Sequence, residues 1–203
     1  RELWLRGPTF AAPAEGLVVV IHDADKQGFV VKGTAVAADS DIAVPSFLIS
    51  RITWEGTGGS KGSLGTGLDG AFEVGPMAVG RRYSLEFEAD GFAPALVGPF
   101  DATVRVENVT VRMVRCGTVR CRVLRADGMP AVKIWANLQR LGDHPFGRAW
   151  QGQTDADGII EFHDVVPDDY KVHARASTAA GGTATVDTVV RPGQTSHVQL
   201  LLQ

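Results

Sequence analysis

The chain has 203 residues, room for one large domain or for two of about 100. Its 44% hydrophobic content supports a packed core, and 24 Gly with 10 Pro point to many turns. A net charge of −3 excludes the strong field expected for a nucleic-acid partner, and no apolar run approaches the ~20 residues of a membrane helix.

The first stretch, residues 1–29, contains two strand-like runs, Leu3–Arg6 and Leu17–Ile21, and then a turn over Asp23–Gly28. It reads as the last strands of a preceding repeat or as an N-terminal extension. No signal peptide opens the chain, so a mature or excised segment with its targeting signal upstream is expected.

Residues 30–115 form the first of two units. Gly33-Thr34 opens a strand, Ala43–Pro45 closes a turn, and Phe47–Trp54 is a second strand. The Gly-rich run 55–67 reads as a flexible loop. A hairpin follows at Asp69-Gly70, since Asp-Gly supplies the positive φ angles of tight turns. Tyr83, Leu85, Phe87 and Ala89 then alternate inward, with Ser84, Glu86 and Glu88 outward. Val104–Val114 supplies the closing strands.

Residues 116–203 repeat the order. Gly117-Thr118 opens a strand, Ala126–Pro130 is a turn, and Val132, Ile134, Ala136 and Leu138 face inward, leaving Trp135 outward. A loop over 139–151 leads to Thr154-Asp-Ala-Asp-Gly158 and then to a strand headed by Tyr170. Its outward row is Lys171, His173 and Arg175, and two strands around Pro192-Gly193 finish the unit. In both copies Asp-Gly follows a Thr by three residues, and a Tyr-led strand begins 14 or 13 residues after the Asp. The period is roughly 85 residues. No sustained helical period occurs, and many short strands between turns argue for an all-β chain of sandwiches.

That order of Gly-Thr strand, Asp-Gly-x-Pro turn, alternating strand, Thr-x-x-Asp-Gly hairpin and Pro-x-x-Tyr strand resembles the carboxypeptidase regulatory-like domain family. It is carried best by Thr118–Ala176. The resemblance implies tandem seven-stranded, Ig-like, transthyretin-like (Cna-B-type) β-sandwiches. It further implies a non-catalytic accessory module of bacterial extracellular, periplasmic or outer-membrane-associated proteins, with neighbouring domains of a larger chain as partners.

Chemistry-bearing candidates are sparse. The run Gly58–Ser63 lacks the Lys-Ser/Thr order of a phosphate loop, and Asp155–Gly158 lacks the later ligands of a calcium loop. The histidines show no metal spacing, so neither metal nor cofactor is expected. Relatives of the Cna-B type form Lys–Asn isopeptide bonds, for which Lys32, Asn108 and Glu73, Glu86 or Glu88 are the candidates. They are read as surface charges. Cys116 and Cys121 would lie ~16 Å apart on one extended strand, too far for a disulfide unless the chain bends sharply at Gly117; two free thiols are expected, and Cys121 shares the apolar face of Val119 and Val123.

The aromatic placement is more informative. Trp135 faces outward, and the next loop adds Phe146, Arg148 and Trp150. Either this loop, or a further domain, covers Trp135, or the four residues form a platform for carbohydrate or protein. The expected function is therefore a structural spacer, with a binding module as the alternative and an enzyme third. Neither nucleic acid nor membrane insertion is expected.

Overall fold

The computed structural model of the chain describes residues 28–55, 58–102, 106–142, 150–176 and 182–203. The runs Leu3–Arg6 and Leu17–Ile21 lie outside these residues, as do Phe146 and Arg148.

Every regular element among the described residues is a strand. They are β1 (Phe29–Ala37), β2 (Ser46–Glu55), β3 (Gly58–Leu68), β4 (Ala71–Met77), β5 (Arg82–Glu88), β6 (Ala95–Asp101) and β7 (Val106–Met113). After a short link come β8 (Gly117–Leu124), β9 (Trp135–Arg140), β10 (Trp150–Gln153), β11 (Ile159–Val165), β12 (Asp168–Arg175), β13 (Thr183–Val190) and β14 (Thr195–Leu201). The first seven strands form one sheet, ordered β6-β5-β2-β3-β4-β1-β7; the rest form two, β10-β9-β12-β13 and β11-β8-β14.

The seven-stranded sheet folds over on itself. Its β3–β4 junction is the single pair Leu68↔Ala71, around a turn with Asp69 at φ 50° and Gly70 at φ 77°. Across that fold Phe72 of β4 meets Phe87 of β5 with ring centroids 4.9 Å apart, although two strands separate them in the sheet. Opened at this turn, the order becomes β6-β5-β2-β3 over β4-β1-β7, which matches β13-β12-β9-β10 over β11-β8-β14 strand for strand. The parallel pairs also match, β1 with β7 and β8 with β14. One core draws on residues from Phe29 to Met113, the other on residues from Val119 to Leu202.

The two halves share smaller devices. Tyr83 and Tyr170 are fully buried at the start of β5 and β12. Their hydroxyls donate to the carbonyls of Ala78 and Val166, each at 2.9 Å. Ala35 and Val123 each bond to a hairpin glycine, Gly70 at 2.7 Å and Gly158 at 2.8 Å. Their carbonyls then accept from Val44 and Ala131, both at 3.0 Å. These bonds set Ala35 opposite Val123 in the comparison, so Gly33 matches Cys121 and Gly117 matches Phe29. The two Gly-Thr pairs of the sequence are therefore not equivalent; they differ by four places in register.

Several expectations need correction. Within the run 55–67, Glu55 ends β2 and residues 58–67 are not a loop but most of β3, paired with β2 from Ser46↔Leu68 to Glu55↔Gly58. Ser84 and Glu86 do not face water: they are 3% and 2% exposed. The reason is that β5 lies inside its sheet, with Glu86 between Ser50 of β2 and Leu96 of β6 and capped by the Lys61 ammonium. Val132 is exposed because Lys133 takes φ 55°, which breaks the alternation before β9 begins. Strands β6 and β10 were hidden as well. The first carries Gly98-Pro99, tolerated because β6 is an edge strand; the second has only four residues.

The Asp155 carboxylate of the calcium-like run accepts from the amides of Asp157 (2.9 Å) and Ile159 (2.8 Å), so it braces a hairpin turn. Lys32 pairs with Glu73 at 2.9 Å on the surface, both well exposed, which is not the dry setting an isopeptide bond needs. Asn108's side chain lies outside what is described.

Neither cysteine is in a disulfide, and Cys121 is a core residue. Burial pushes its pKa from 9.0 to about 12, and burial likewise pushes Tyr170 from 10.0 to about 12. Unfolding lets each group ionise at its ordinary pH, so the folded state holds the extra protons and stability falls as pH rises above 9. The slope reaches about 1.4 kcal/mol per pH unit for each group. Urea midpoints are expected to hold up to about pH 9 and then fall, with a smaller fall in Cys121→Ala. A wild-type midpoint that stayed level to pH 11 would contradict this.

Candidate functional site

Strand alternation gives the β10-β9-β12-β13 sheet one face in the core and one in water. Ala136, Leu138, Trp150, Tyr170, Val172 and Ala174 are buried on the inner face. The outer face carries Trp135, Asn137 and Gln139 from β9 and Lys171, His173 and Arg175 from β12. Cross-strand pairing arranges these in rows. Trp135 lies between Gln153 of β10 and Arg175 of β12, and Thr183 of β13 is next beyond Arg175. Asn137 lies between Gln151 and His173; Gln139 is opposite Lys171.

Trp135, Asn137, Gln139, Gln153, His173, Arg175 and Thr183 line a shallow groove of about 660 Å³. Trp135 remains 45% exposed in it. Lys171 is drawn aside by Asp187, with Nζ 3.7 Å from the carboxylate. Among the described lining residues the indole surface comes from Trp135, the fixed positive charge from Arg175, and there is no carboxylate. Such a surface can stack a flat ring and offer amide donors and acceptors in pairs.

Of the four residues expected to form a platform, the structure describes Trp135 and Trp150, and these two do not share a face. Trp150 is on the opposite face, 8% exposed, its indole N–H donating to the His163 carbonyl at 3.0 Å. Its ring packs edge-on against Tyr170 at 5.8 Å. The cause is register: Trp150 pairs with Leu138, an inward position, whereas Trp135 pairs with Gln153. Phe146 and Arg148 lie outside the described residues. Sequence reasoning placed Trp135 and the Lys171-His173-Arg175 row correctly but did not join them, because pairing β9 with β12 requires the register. Asn137, Gln139, Gln153 and Thr183 were missed. Their one signal was polar alternation within β9.

A second cleft, of about 700 Å³, lies between the halves, with Leu48, Lys61, Glu86 and Phe92 on one side and Trp150 and Asp164 on the other. Lys61 bridges Glu86 and Glu88 there, and hydrogen bonds to these carboxylates, Glu86 foremost, raise its pKa. Nearby, the link between the halves is tied down. Ala93 donates to the Val114 carbonyl and Cys116 to that of Gly91, both at 2.8 Å. Arg115 lies over the Phe92 ring, 5.1 Å from its centroid, and its Nε donates to Asp39 at 3.1 Å.

No protein-family model and no curated protein sequence matches the chain. Among solved structures it is similar to GBS52, the minor pilin of Streptococcus agalactiae. Identity is 11% and the TM-score 0.50, over 87% of this chain and 97% of that one. It is also similar to a streptococcal ancillary pilin at 11% identity and TM-score 0.47, over 88% of this chain and 63% of that one. The likeness to GBS52 shows the fold alone: an all-β, Cna-B-like sandwich architecture, consistent with a transthyretin-like fold.

Proposed function

We propose that the chain is a non-catalytic structural module of a larger cell-envelope protein. It is built from two tandem sandwiches, residues 30–115 and 116–203, that resemble the carboxypeptidase regulatory-like domain. The matching strand orders, the paired tyrosines and the separate cores support the duplication. The likeness to a minor pilin supports a surface setting, with other domains or subunits of an assembly as partners. The acids shifted furthest, Cys121 and Tyr170, owe the shift to core burial rather than to a partner in a pocket, which favours a structural over a catalytic role.

One observation carries the reading, and it is the fixed junction. A spacer must transmit orientation, and a free linker would not. Here the link is tied to the first half by two backbone bonds and by Arg115 between Phe92 and Asp39, and to the second by the Gly193 amide, which donates to the Cys116 carbonyl at 3.2 Å. Backbone ¹⁵N relaxation tests it. Amides of the two halves are expected to report one common rotational diffusion tensor, and two independent correlation times would sink the spacer reading.

A further inference from the structure

We propose that the outer face of the β10-β9-β12-β13 sheet binds an acidic oligosaccharide, with one pyranose ring stacked on Trp135 and its anionic group held by Arg175. The site does not depend on the spacer reading; a rigid junction and a bare sheet face could coexist, and so could the reverse.

A half-exposed indole on a strand leaves apolar area in water with no structural return, since the core is closed beneath it by Ala136 and Ala174. The C–H face of a pyranose fits such a plane and keeps its hydroxyls at the ring edge. Gln153 is Trp135's cross-strand neighbour, and Asn137 and Gln139 follow along β9; their amides, each able to donate and accept, offer the pairing that the hydroxyls of an oligosaccharide need. A protein-docking surface would place several large apolar side chains around its anchor. Among the described lining residues the large apolar side chain is Trp135, and the others are polar or alanine.

Charge selects the class of sugar. Arg175 is in Trp135's own row, one strand away, while the described residues of the groove lining include no carboxylate. Lys171, four residues before Arg175 on β12, is engaged by Asp187. A planar guanidinium beside the stacking ring suits a carboxylate or sulfate, which it can hold by two parallel bonds.

The test is titration of the whole chain with three hexasaccharides: a galacturonate, a sulfated galactose and a neutral galactose oligomer. Intrinsic fluorescence and calorimetry are the readouts. Saturable binding of one or both acidic hexamers, at least about tenfold tighter than the neutral one, is expected. Which acidic hexamer binds identifies the group recognised. Trp135→Ala should abolish binding, and Arg175→Gln should weaken it about tenfold or more, both with unchanged thermal midpoints because both side chains are exposed. Binding that survives Trp135→Ala overturns the site. A neutral hexamer bound equally well overturns the charge assignment, and no binding of any hexamer overturns the proposal.

Discussion

Replacing Tyr170 by alanine is expected to remove about 3–5 kcal/mol of stability, the range for deleting a buried aromatic ring, and to unfold the second half under conditions where the first survives. The ring is fully buried, packs edge-on against Trp150, and lies at the start of β12, the strand that holds β9 and β13 together. Its loss therefore opens a cavity at the centre of one core. Tyr170→Phe separates the two contributions of the side chain. It keeps the ring and strands the Val166 carbonyl, with an expected cost of about 1–2 kcal/mol. It also removes the part of the alkaline instability that begins near pH 10. Urea unfolding followed by Trp fluorescence and by the amides of each half would show both effects. Equal unfolding of the two halves in Tyr170→Ala would mean that the cores are energetically one, contrary to their separate composition.

Much of the fold was legible because turn chemistry and alternation are local. Asp69-Gly70, Gly158 and Pro192-Gly193 announce their turns, and Tyr83, Leu85 and Phe87 announce an inner face. What stayed hidden depends on partners far along the chain. Glu86 reads as exposed until β2 and β6 are placed on either side of it. Trp150 reads as a loop aromatic until its pairing with Leu138 turns it inward. Gly33-Thr34 and Gly117-Thr118 look equivalent as letters and differ by four residues as hydrogen-bonded positions. The candidate groove suffered most, since its rows join residues as distant as Trp135 and Arg175.

The two halves also show how one architecture supports different outer faces. In the first half the face of β2 and β5 buries Ser50, Ser84 and Glu86 and closes them with Lys61. In the second half the matching strands β9 and β12 expose Trp135, Asn137 and Arg175. The inner faces differ far less: both carry a tyrosine at the head of the central strand and aliphatic or aromatic residues after it. Burial constrains the inner positions to a narrow set, while each outer face is free to follow its own partners.

Within β3 two glycines five residues apart should respond in opposite ways to a methyl group, and the contrast tests why this strand is so rich in glycine. Gly67 pairs with Phe47, whose ring lies across it; a Cβ there would fall 2.0 Å from the ring carbon Cζ. The ring cannot yield, because Phe72 and Phe87 hold it at centroid distances of 6.1 and 5.8 Å. Gly67→Ala is therefore expected to cost about 3 kcal/mol, the upper end for overpacking a core. At Gly62 the nearest atom to a new Cβ is the Arg51 guanidinium at 3.8 Å, an ordinary contact. Gly62→Ala should be neutral or stabilising by up to about 1 kcal/mol, through the entropy that glycine otherwise loses on folding. Chemical denaturation of the two variants decides the matter. A flexible loop at this place would tolerate both substitutions equally, whereas a strand roofed by an aromatic ring tolerates only one.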